Sequence, residues 1–282
     1  MDENVTIRSC LLQGDNDLHG ETPLYKYLSV EAFLYLIEFK RLIFSRITTW
    51  PDAYEGVRFE FFNKFKKNPE YSKNKKDDFY GSCWSLQSED KRLYDDNDDM
   101  KEKNYQAAID ELKRNGSAAM WESYCKYGGV RIKTTLDKLN KLFSTKLQDF
   151  RLIRGKVYYE AASSWSKTIK APNITSALFM KRIPFRYESE YRYILVLNES
   201  KKDKIISVEI DDIFDLIDEI LVAPATPPNK WISRTLYNIG VGISINPDRE
   251  GISINSKNGN QFCKISQLYG SISEFVGHYN MA

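Results

Sequence analysis

The stretches Leu24-Tyr25-Lys26-Tyr27-Leu28 and Arg41-Leu42-Ile43-Phe44-Ser45 decide the fold prediction for the start of the chain. Apolar and polar residues alternate in the first stretch, which is typical of a short strand. Ser29 follows as the expected N-cap of a helix. Helical spacing then gives that helix an apolar face made of Val30, Phe33, Leu34 and Ile37. The second stretch has strand character, so the chain is predicted to open as strand, short helix, strand.

Short elements of both kinds follow along the rest of the chain. The aromatic segment 79–85 predicts a buried strand, residues 118–127 a helix that ends at Gly128-Gly129, residues 173–182 a helix, and residues 191–197 a strand. This mixture predicts an α+β fold with a curved or split, mainly antiparallel sheet flanked by short helices.

The predicted domain organisation is simple. Residues 1–22 form a polar lead-in, and residues 23–282 form a single α+β domain. Within it, a core of about 24–223 is followed by a C-terminal extension of helix and strand over 224–282.

Composition excludes several classes of protein. The chain has 282 residues, 28% charged and 42% hydrophobic, which is the balance of a globular protein. Aromatic residues are abundant at 13%, but there are only 2 histidines, His19 and His278. A histidine-rich metal site or a histidine-centred triad is therefore not expected.

Charge, cysteine spacing and hydropathy predict where the protein acts. The formal net charge of +2 provides no global field for DNA or an anionic membrane. The four cysteines, with no CxxC pair among them, fit neither a zinc site nor a disulfide framework. The acidic N-terminus lacks an apolar signal core, and no segment has the length of a membrane span. We therefore expect a cytoplasmic protein that does not bind membranes.

Several common catalytic motifs are absent from the sequence. It contains no GxxxxGK, HExxH, GxSxG or GxGxxG pattern. Phosphate-cradling loops, zinc hydrolysis and serine hydrolysis consequently have no local support.

The densest polar and aromatic cluster is Phe185-Arg186-Tyr187-Glu188-Ser189-Glu190-Tyr191-Arg192. Glu188 and Glu190, two residues apart, are predicted on one face at the start of a strand. Two close carboxylates can push their pKa values apart or bind one cation. One can instead grip a ribose hydroxyl while the other positions an acceptor. The alternative is a strand edge on which Glu190 pairs with a nearby Arg or Lys.

Aromatic clusters and a basic stretch each allow two interpretations. Trp121 and Tyr124 are three residues apart on a predicted helix, where they wall a pocket for a flat ligand or form core. Trp84 and Ser85 are expected on opposite faces of their strand. The lysines and aromatics of 61–76 track a nucleic-acid backbone or form a solvated surface.

In their order along the chain, these motifs resemble the bacterial domain-of-unknown-function family 2971. Its usual pattern reads LYKY, LxFS, FNDPFEG, C-F/W-S, MWxxY, GVxI and YExExR. The corresponding segments span about 24–223 and are 24–27, 42–45, 51–56, 83–85, 120–124, 129–130, 157–159 and 187–192. The sequence departs from the pattern at Trp50-Pro51-Asp52, where the family has Asn-Asp-Pro.

The opening of that family is similar, more distantly, to the ADP-ribosyltransferase fold. This resemblance implies that Glu188-Ser189-Glu190 is an ExE motif, with Glu190 binding a ribose hydroxyl of NAD and Glu188 orienting or deprotonating the acceptor. Aromatic walls would hold the nicotinamide, and Arg46 or Lys26 would contact the pyrophosphate. The implied NAD-binding set is Tyr25, Lys26, Tyr27, Arg46, Trp84, Ser85, Trp121 and Tyr124. NAD is the substrate, and no metal is expected.

The leading hypothesis is therefore an ADP-ribosyltransferase-like enzyme, with family habit suggesting a toxin or phage-defence effector. Its partners would be a nucleic-acid or protein acceptor and a neutralising antitoxin or defence-complex protein. The alternatives are a non-catalytic nucleotide-binding sensor and a magnesium-dependent nuclease that uses Asp52, Glu188 and Glu190. Convergence of Tyr25, Trp84, Tyr124 and Glu190 on one cleft favours the enzyme, whereas burial of Glu190 in a structural ion pair removes its main support.

Overall fold

The computed structural model describes residues 8–9, 18–52, 79–87, 98–147, 150–161, 178–197, 203–224, 243–245, 252–255, 261–266 and 268. The strands are β1 Arg8–Ser9, β2 Pro23–Ser29, β3 Arg41–Arg46, β4 Phe79–Ser85, β5 Gly129–Thr135, β6 Arg151–Lys156, β7 Tyr158–Glu160, β8 Met180–Arg182, β9 Glu190–Val196, β10 Ile205–Glu209, β11 Glu219–Val222, β12 Ile243–Ile245, β13 Ile252–Asn255 and β14 Gln261–Ile265. The α-helices are α1 Val30–Phe39, α2 Asp98–Asn115, α3 Ala118–Tyr124, α4 Leu136–Lys146 and α5 Ile213–Leu216, and 3-10 helices cover Ile47–Thr49 and Ile183–Glu188.

The chain divides into two compact units that interleave along the sequence. The first comprises Met1–Leu24, Phe39–Leu86 and Thr135–Leu216, and the second comprises Tyr25–Glu38, Gln87–Thr134 and Ile217–Ala282. The α+β class and the mostly antiparallel pairing are confirmed. The single domain over 23–282 stays a prediction.

Strand β9 is the centre of the first unit. The sheet of the first unit has the strand order β1-β6-β9-β4-β3-β10, and only the β1–β6 pair in this order is parallel. All seven residues of β9 are buried, as expected of a strand with neighbours on both sides and cover on both faces. One face packs against α4, where the ring centroids of Tyr193 and Phe143 are 4.8 Å apart. The other face packs on a core cluster that includes Ile47, Phe79 and Ile194.

The second unit contains a sheet of order β2-β5-β11-β14-β13-β12, with β2 belonging to it from Tyr25 onward. β11 pairs antiparallel with β5 and parallel with β14. Its apolar cluster contains Tyr27, Met120, Trp121, Cys125 and Leu221.

The predicted opening of strand, helix and strand is confirmed as β2, α1 and β3. Ser29 caps the helix, because its Oγ accepts a hydrogen bond from the Ala32 backbone N–H at 3.3 Å. Phe33 and Leu36 are the buried residues of α1, so a narrow apolar stripe faces the interior.

One local prediction is wrong where the structure describes it. Residues 180–182 form strand β8 rather than the end of a helix, because they pair in parallel with Tyr158, Tyr159 and Glu160. The lead-in contains strand β1, which pairs with β6. The basic stretch 64–76 and residues 173–177 of the predicted helix lie outside the described residues. Among the helices described, none has the length and apolarity needed to cross a membrane.

Candidate active site

The pairing register of β4 and β9 decides which side chains share a face of the sheet. Ser85 lies opposite Glu190 and Cys83 opposite Arg192, so these four side chains lie on one face. Trp84 lies opposite Tyr191, and both therefore point to the other face.

Four buried charged side chains meet on the Glu190 face and form what we call the carboxylate cluster: Lys181, Glu188, Glu190 and Arg192. Arg192 forms a bidentate pair with Glu190, since its Nε donates to Oε1 at 2.9 Å and its Nη2 donates to Oε2 at 2.8 Å. The ammonium of Lys181 lies 2.5 Å from Glu188 Oε2 and 3.5 Å from Glu190 Oε2. One lysine is thus shared by two carboxylates, and each carboxylate is at most 5% exposed.

The two cations determine the protonation state of Glu190. Burial alone would raise its pKa, but the guanidinium of Arg192 and the ammonium of Lys181 outweigh burial and lower the pKa from 4.5 to about 2. Glu190 is consequently ionised at neutral pH.

This lowered pKa predicts that Glu190 stabilises the fold in a pH-dependent way. The contribution is fully present above pH 4.5, the ordinary value, and is lost as the pH falls from there toward 2. It is on the order of 3 kcal/mol at neutral pH. In urea unfolding from pH 7 to pH 3, the gap in unfolding free energy between wild type and Glu190→Gln should shrink. Because the pair is buried, about 0.5 M salt should leave most of the gap at pH 7. A gap that does not change with pH would contradict the assignment.

A tryptophan and two glycines shape the surroundings of Arg192. The Trp50 ring lies over the guanidinium at 4.8 Å, and its Nε1 donates to Ser45 Oγ. A Cβ at position 81 would lie 2.4 Å from this ring, so Gly81 makes room for it. Gly155 of β6 lies opposite Arg192 on the other side. Small residues on both neighbouring strands thus accommodate the covered guanidinium.

The turn before β9 brings the two glutamates together. Glu188 ends a 3-10 helix, and Ser189 adopts the left-handed conformation with φ 42°. This conformation is uncommon for a residue other than glycine and costs about 1–3 kcal/mol. Because β9 begins only at Glu190, the prediction that both glutamates lie on one strand face is wrong. They meet on Lys181 through the turn instead.

Tyr159 completes the environment of Glu190. Its hydroxyl accepts a hydrogen bond from the Glu190 backbone N–H at 2.9 Å. Burial raises the pKa of Tyr159, and the nearby Glu190 carboxylate adds to this effect. Tyr159 is therefore a neutral phenol that helps to fix the backbone of Glu190.

The structure separates three predicted NAD-binding residues of the first unit. Ser85 shares the face of Glu190, whereas Trp84 is on the opposite face and does not form a wall beside that carboxylate. Arg46 donates to the Tyr80 hydroxyl at 2.9 Å and to the Asp203 carbonyl at 2.7 Å. These contacts tie its guanidinium to β4 and to the segment before β10.

Three of the predicted aromatic residues of the second unit, Tyr25, Tyr27 and Trp121, lie close together, whereas Tyr124 differs by its exposure. The Tyr25 ring stacks on the Arg131 guanidinium at 4.6 Å, and burial raises the pKa of this tyrosine to about 12. Tyr27 packs edge-on against Trp121, with ring centroids 4.7 Å apart. Tyr124 is 45% exposed, so it does not share the burial of Trp121. Lys26 is partly buried and lies on the face of β2 opposite to that of Tyr25 and Tyr27.

The sequence prediction missed three side chains of the site: Trp50, Tyr159 and Lys181. Lys181 fell within a predicted helix, and only the β7–β8 pairing places it beside Glu188. Arg192 was detectable, because it is two residues from Glu190 on the same strand. The interpretation in which Glu190 pairs with a nearby Arg or Lys is confirmed, although the pair is buried rather than at an edge. Because burial in such a pair was the outcome expected to weaken the enzyme hypothesis, Glu190 by itself does not support that hypothesis.

Asp52 does not join the two glutamates. Its Oδ1 accepts a hydrogen bond from Arg182 Nη2 at 2.9 Å. In the part of the chain that the structure describes, no three His, Cys, Asp or Glu residues are grouped so that they could hold a metal ion. The nuclease hypothesis therefore lacks its expected ligand set among these residues.

Comparisons with known proteins add no relative. The chain matches no protein-family model, no curated protein and no solved structure. The resemblance to family 2971 thus stays a prediction that depends on the motifs alone.

Proposed function

We propose that the chain is an ADP-ribosyltransferase-like enzyme that cleaves NAD and transfers ADP-ribose to a macromolecular acceptor, with Glu190 and Glu188 as the acting carboxylates. The observation that carries the proposal is the carboxylate cluster itself, in which two glutamates share Lys181. Cleavage of the bond between nicotinamide and ribose develops positive charge at the anomeric carbon. A carboxylate that is already ionised and fixed in place stabilises such charge best.

The composition of the cluster supports a functional role. A buried ion pair contributes little to stability compared with apolar side chains of the same volume. Here two such pairs lie together, beside a strained Ser189 between the two glutamates. Strongly shifted pKa values and backbone strain are both enriched at functional sites. A structural pair of Glu190 with Arg192 needs neither Glu188 nor Lys181.

The division of labour follows from the contacts. Arg192 binds both carboxylate oxygens of Glu190. To bind a ribose hydroxyl, Glu190 requires Arg192 to release one of these two oxygens. Lys181 remains within reach and keeps the carboxylate ionised during that exchange. Glu188 contacts Lys181 through Oε2 and would orient the acceptor or take its proton. Catalytic contacts often form fully only when substrate binds.

The test is release of nicotinamide from labelled NAD, with transfer of label to protein, DNA and RNA acceptors. Glu190→Gln should lower nicotinamide release at least about a hundredfold, because it removes the stabilising charge. Glu188→Gln should lower transfer more than hydrolysis. Glu209→Gln, an exposed carboxylate on β10, is the matched control and should retain activity. Circular dichroism checks that each variant is folded. Absence of release and transfer by wild type with all three acceptors would refute the proposal.

A non-catalytic nucleotide sensor is the second candidate. A sensor needs no carboxylate that is free to act on NAD, and this fits the burial of Glu190 in its bidentate pair with Arg192. Thermal stabilisation by NAD or another nucleotide, with no nicotinamide released, would select this function over the enzyme.

A further inference from the structure

We propose that the outward face of the 3-10 helix Ile183–Glu188, together with Tyr158 of β7, binds single-stranded nucleic acid. We call this face the aromatic surface and define it by Tyr158, Ile183, Arg186 and Tyr187. Its role as the acceptor-binding surface rests on the proposed function. The binding of single-stranded nucleic acid does not depend on that function.

The helix presents opposite chemistry on its two sides. Inward, Glu188 joins the carboxylate cluster, and the Phe185 ring packs against the cations of Lys181 and Arg182 at 4.8 and 5.2 Å. Outward, Ile183 is 45% exposed and Tyr187 is 39% exposed. The same short helix therefore positions a candidate catalytic carboxylate and displays apolar surface to solvent.

Strand β7 lies against this helix and carries a further exposed aromatic residue. β7 contacts the 3-10 helix and pairs with β8, which leads directly into that helix. Tyr158 on β7 is 51% exposed. Exposed aromatic rings are suitable platforms for nucleobases, since every base has a face that can stack.

The charges around the surface are arranged for an anionic partner. The acidic side chains in 150–161 and 178–197 are Glu160, Glu188 and Glu190, and each is at most 9% exposed. By contrast, Arg186 is exposed, whereas Arg182 is paired with Asp52. The carboxylates of these segments thus turn inward while Arg186 presents a cation at the surface. Exposed rings beside this arginine fit a phosphate-linked strand better than an uncharged or acidic peptide.

Fluorescence anisotropy with labelled single-stranded DNA and RNA of about 20 nucleotides tests the proposal on the full-length protein. Tyr158→Ala and Tyr187→Ala should each weaken binding about tenfold, the usual consequence of losing one stacked base. Arg186→Gln should weaken binding and lower the slope of log affinity against log salt by about 0.7, one phosphate contact. Matched controls are Tyr127→Ala, at 92% exposure in the second unit, and Arg114→Gln, another exposed arginine. Both should bind like wild type, and all variants should share its unfolding midpoint.

The outcomes separate this inference from the proposed function. Binding that is lost in the surface variants, with no nicotinamide released by wild type, supports the surface and refutes the enzyme. The surface is overturned if the protein releases nicotinamide but has negligible affinity for oligonucleotides. It is also overturned if oligonucleotide affinity is equal in wild type and in the Tyr158→Ala, Arg186→Gln, Tyr187→Ala triple variant. Transfer of label to a protein without oligonucleotide binding overturns it as well.

Discussion

An Arg192→Met variant is expected to lose about 3–5 kcal/mol of unfolding free energy, the cost of removing one partner from a buried ion pair. Arg192 is 1% exposed and satisfies both oxygens of Glu190. It also donates to the Leu178 carbonyl at 2.6 Å. Methionine fills much of the volume of Arg192 but cannot donate to the Leu178 carbonyl. Among the contacts described above, Lys181 is then the remaining cation beside the Glu190 carboxylate.

A double-mutant cycle separates the ion pair from general packing. Glu190→Gln removes the charge that Arg192 leaves behind, so the double variant should lose less than the sum of the two single losses. Urea unfolding measured at pH 7 gives each value. Arg186→Gln, an exposed arginine six residues away, is the matched control and should change stability by less than about 0.5 kcal/mol. Additive losses in the cycle would show that the two side chains do not stabilise one another.

The opening of the fold could be predicted because its determinants are local. Alternation in β2, the Ser29 cap and the spacing of α1 are all contained within residues 24–37. β4 was predictable for the same reason, since its aromatic and β-prone residues lie within one seven-residue segment. Residues two apart on a strand share a face, so the predicted pairing of Glu190 with an unnamed Arg or Lys could have been assigned to Arg192.

The remaining parts of the site depend on contacts between distant segments. Trp50 covers Arg192 although more than half of the chain length separates the two residues in sequence. The Trp50 ring fits there because position 81 is a glycine. Lys181 reaches both glutamates because β8 pairs with β7, a pairing that no local pattern specifies. Trp84 and Ser85 were correctly expected on opposite faces. Which face would carry Glu190 depended on the β4–β9 register, and that register excludes Trp84 from its side.

Arg131→Met is the second substitution with a large expected effect, and it concerns the second unit. Arg131 is fully buried and donates to the carbonyls of Leu112 and Lys113 at 2.9 and 2.7 Å. These carbonyls belong to the last turn of α2, where backbone acceptors have no partner within the helix. The Leu112 carbonyl also accepts from the Gly116 backbone N–H at 2.8 Å, just beyond the helix. The guanidinium also pairs with Glu219 at 3.1 Å and donates to the Gln87 side chain at 2.9 Å. One side chain thus caps a helix and neutralises a carboxylate.

Methionine at position 131 would leave the Lys113 carbonyl, the Gln87 amide oxygen and the Glu219 carboxylate without this donor, so we expect a loss of about 3–5 kcal/mol. Arg131→Lys keeps the charge but cannot reproduce the planar fork, and it should be less destabilising than methionine. Glu219→Gln should be milder still, because the Glu219 side chain is 17% exposed and retains contact with water. Urea unfolding gives the order, and hydrogen exchange of peptides from α2 gives the local effect, since loss of the cap should speed exchange there first. If Arg131→Met lost less than about 1 kcal/mol and α2 exchanged at the wild-type rate, Arg131 would not be the cap of this helix.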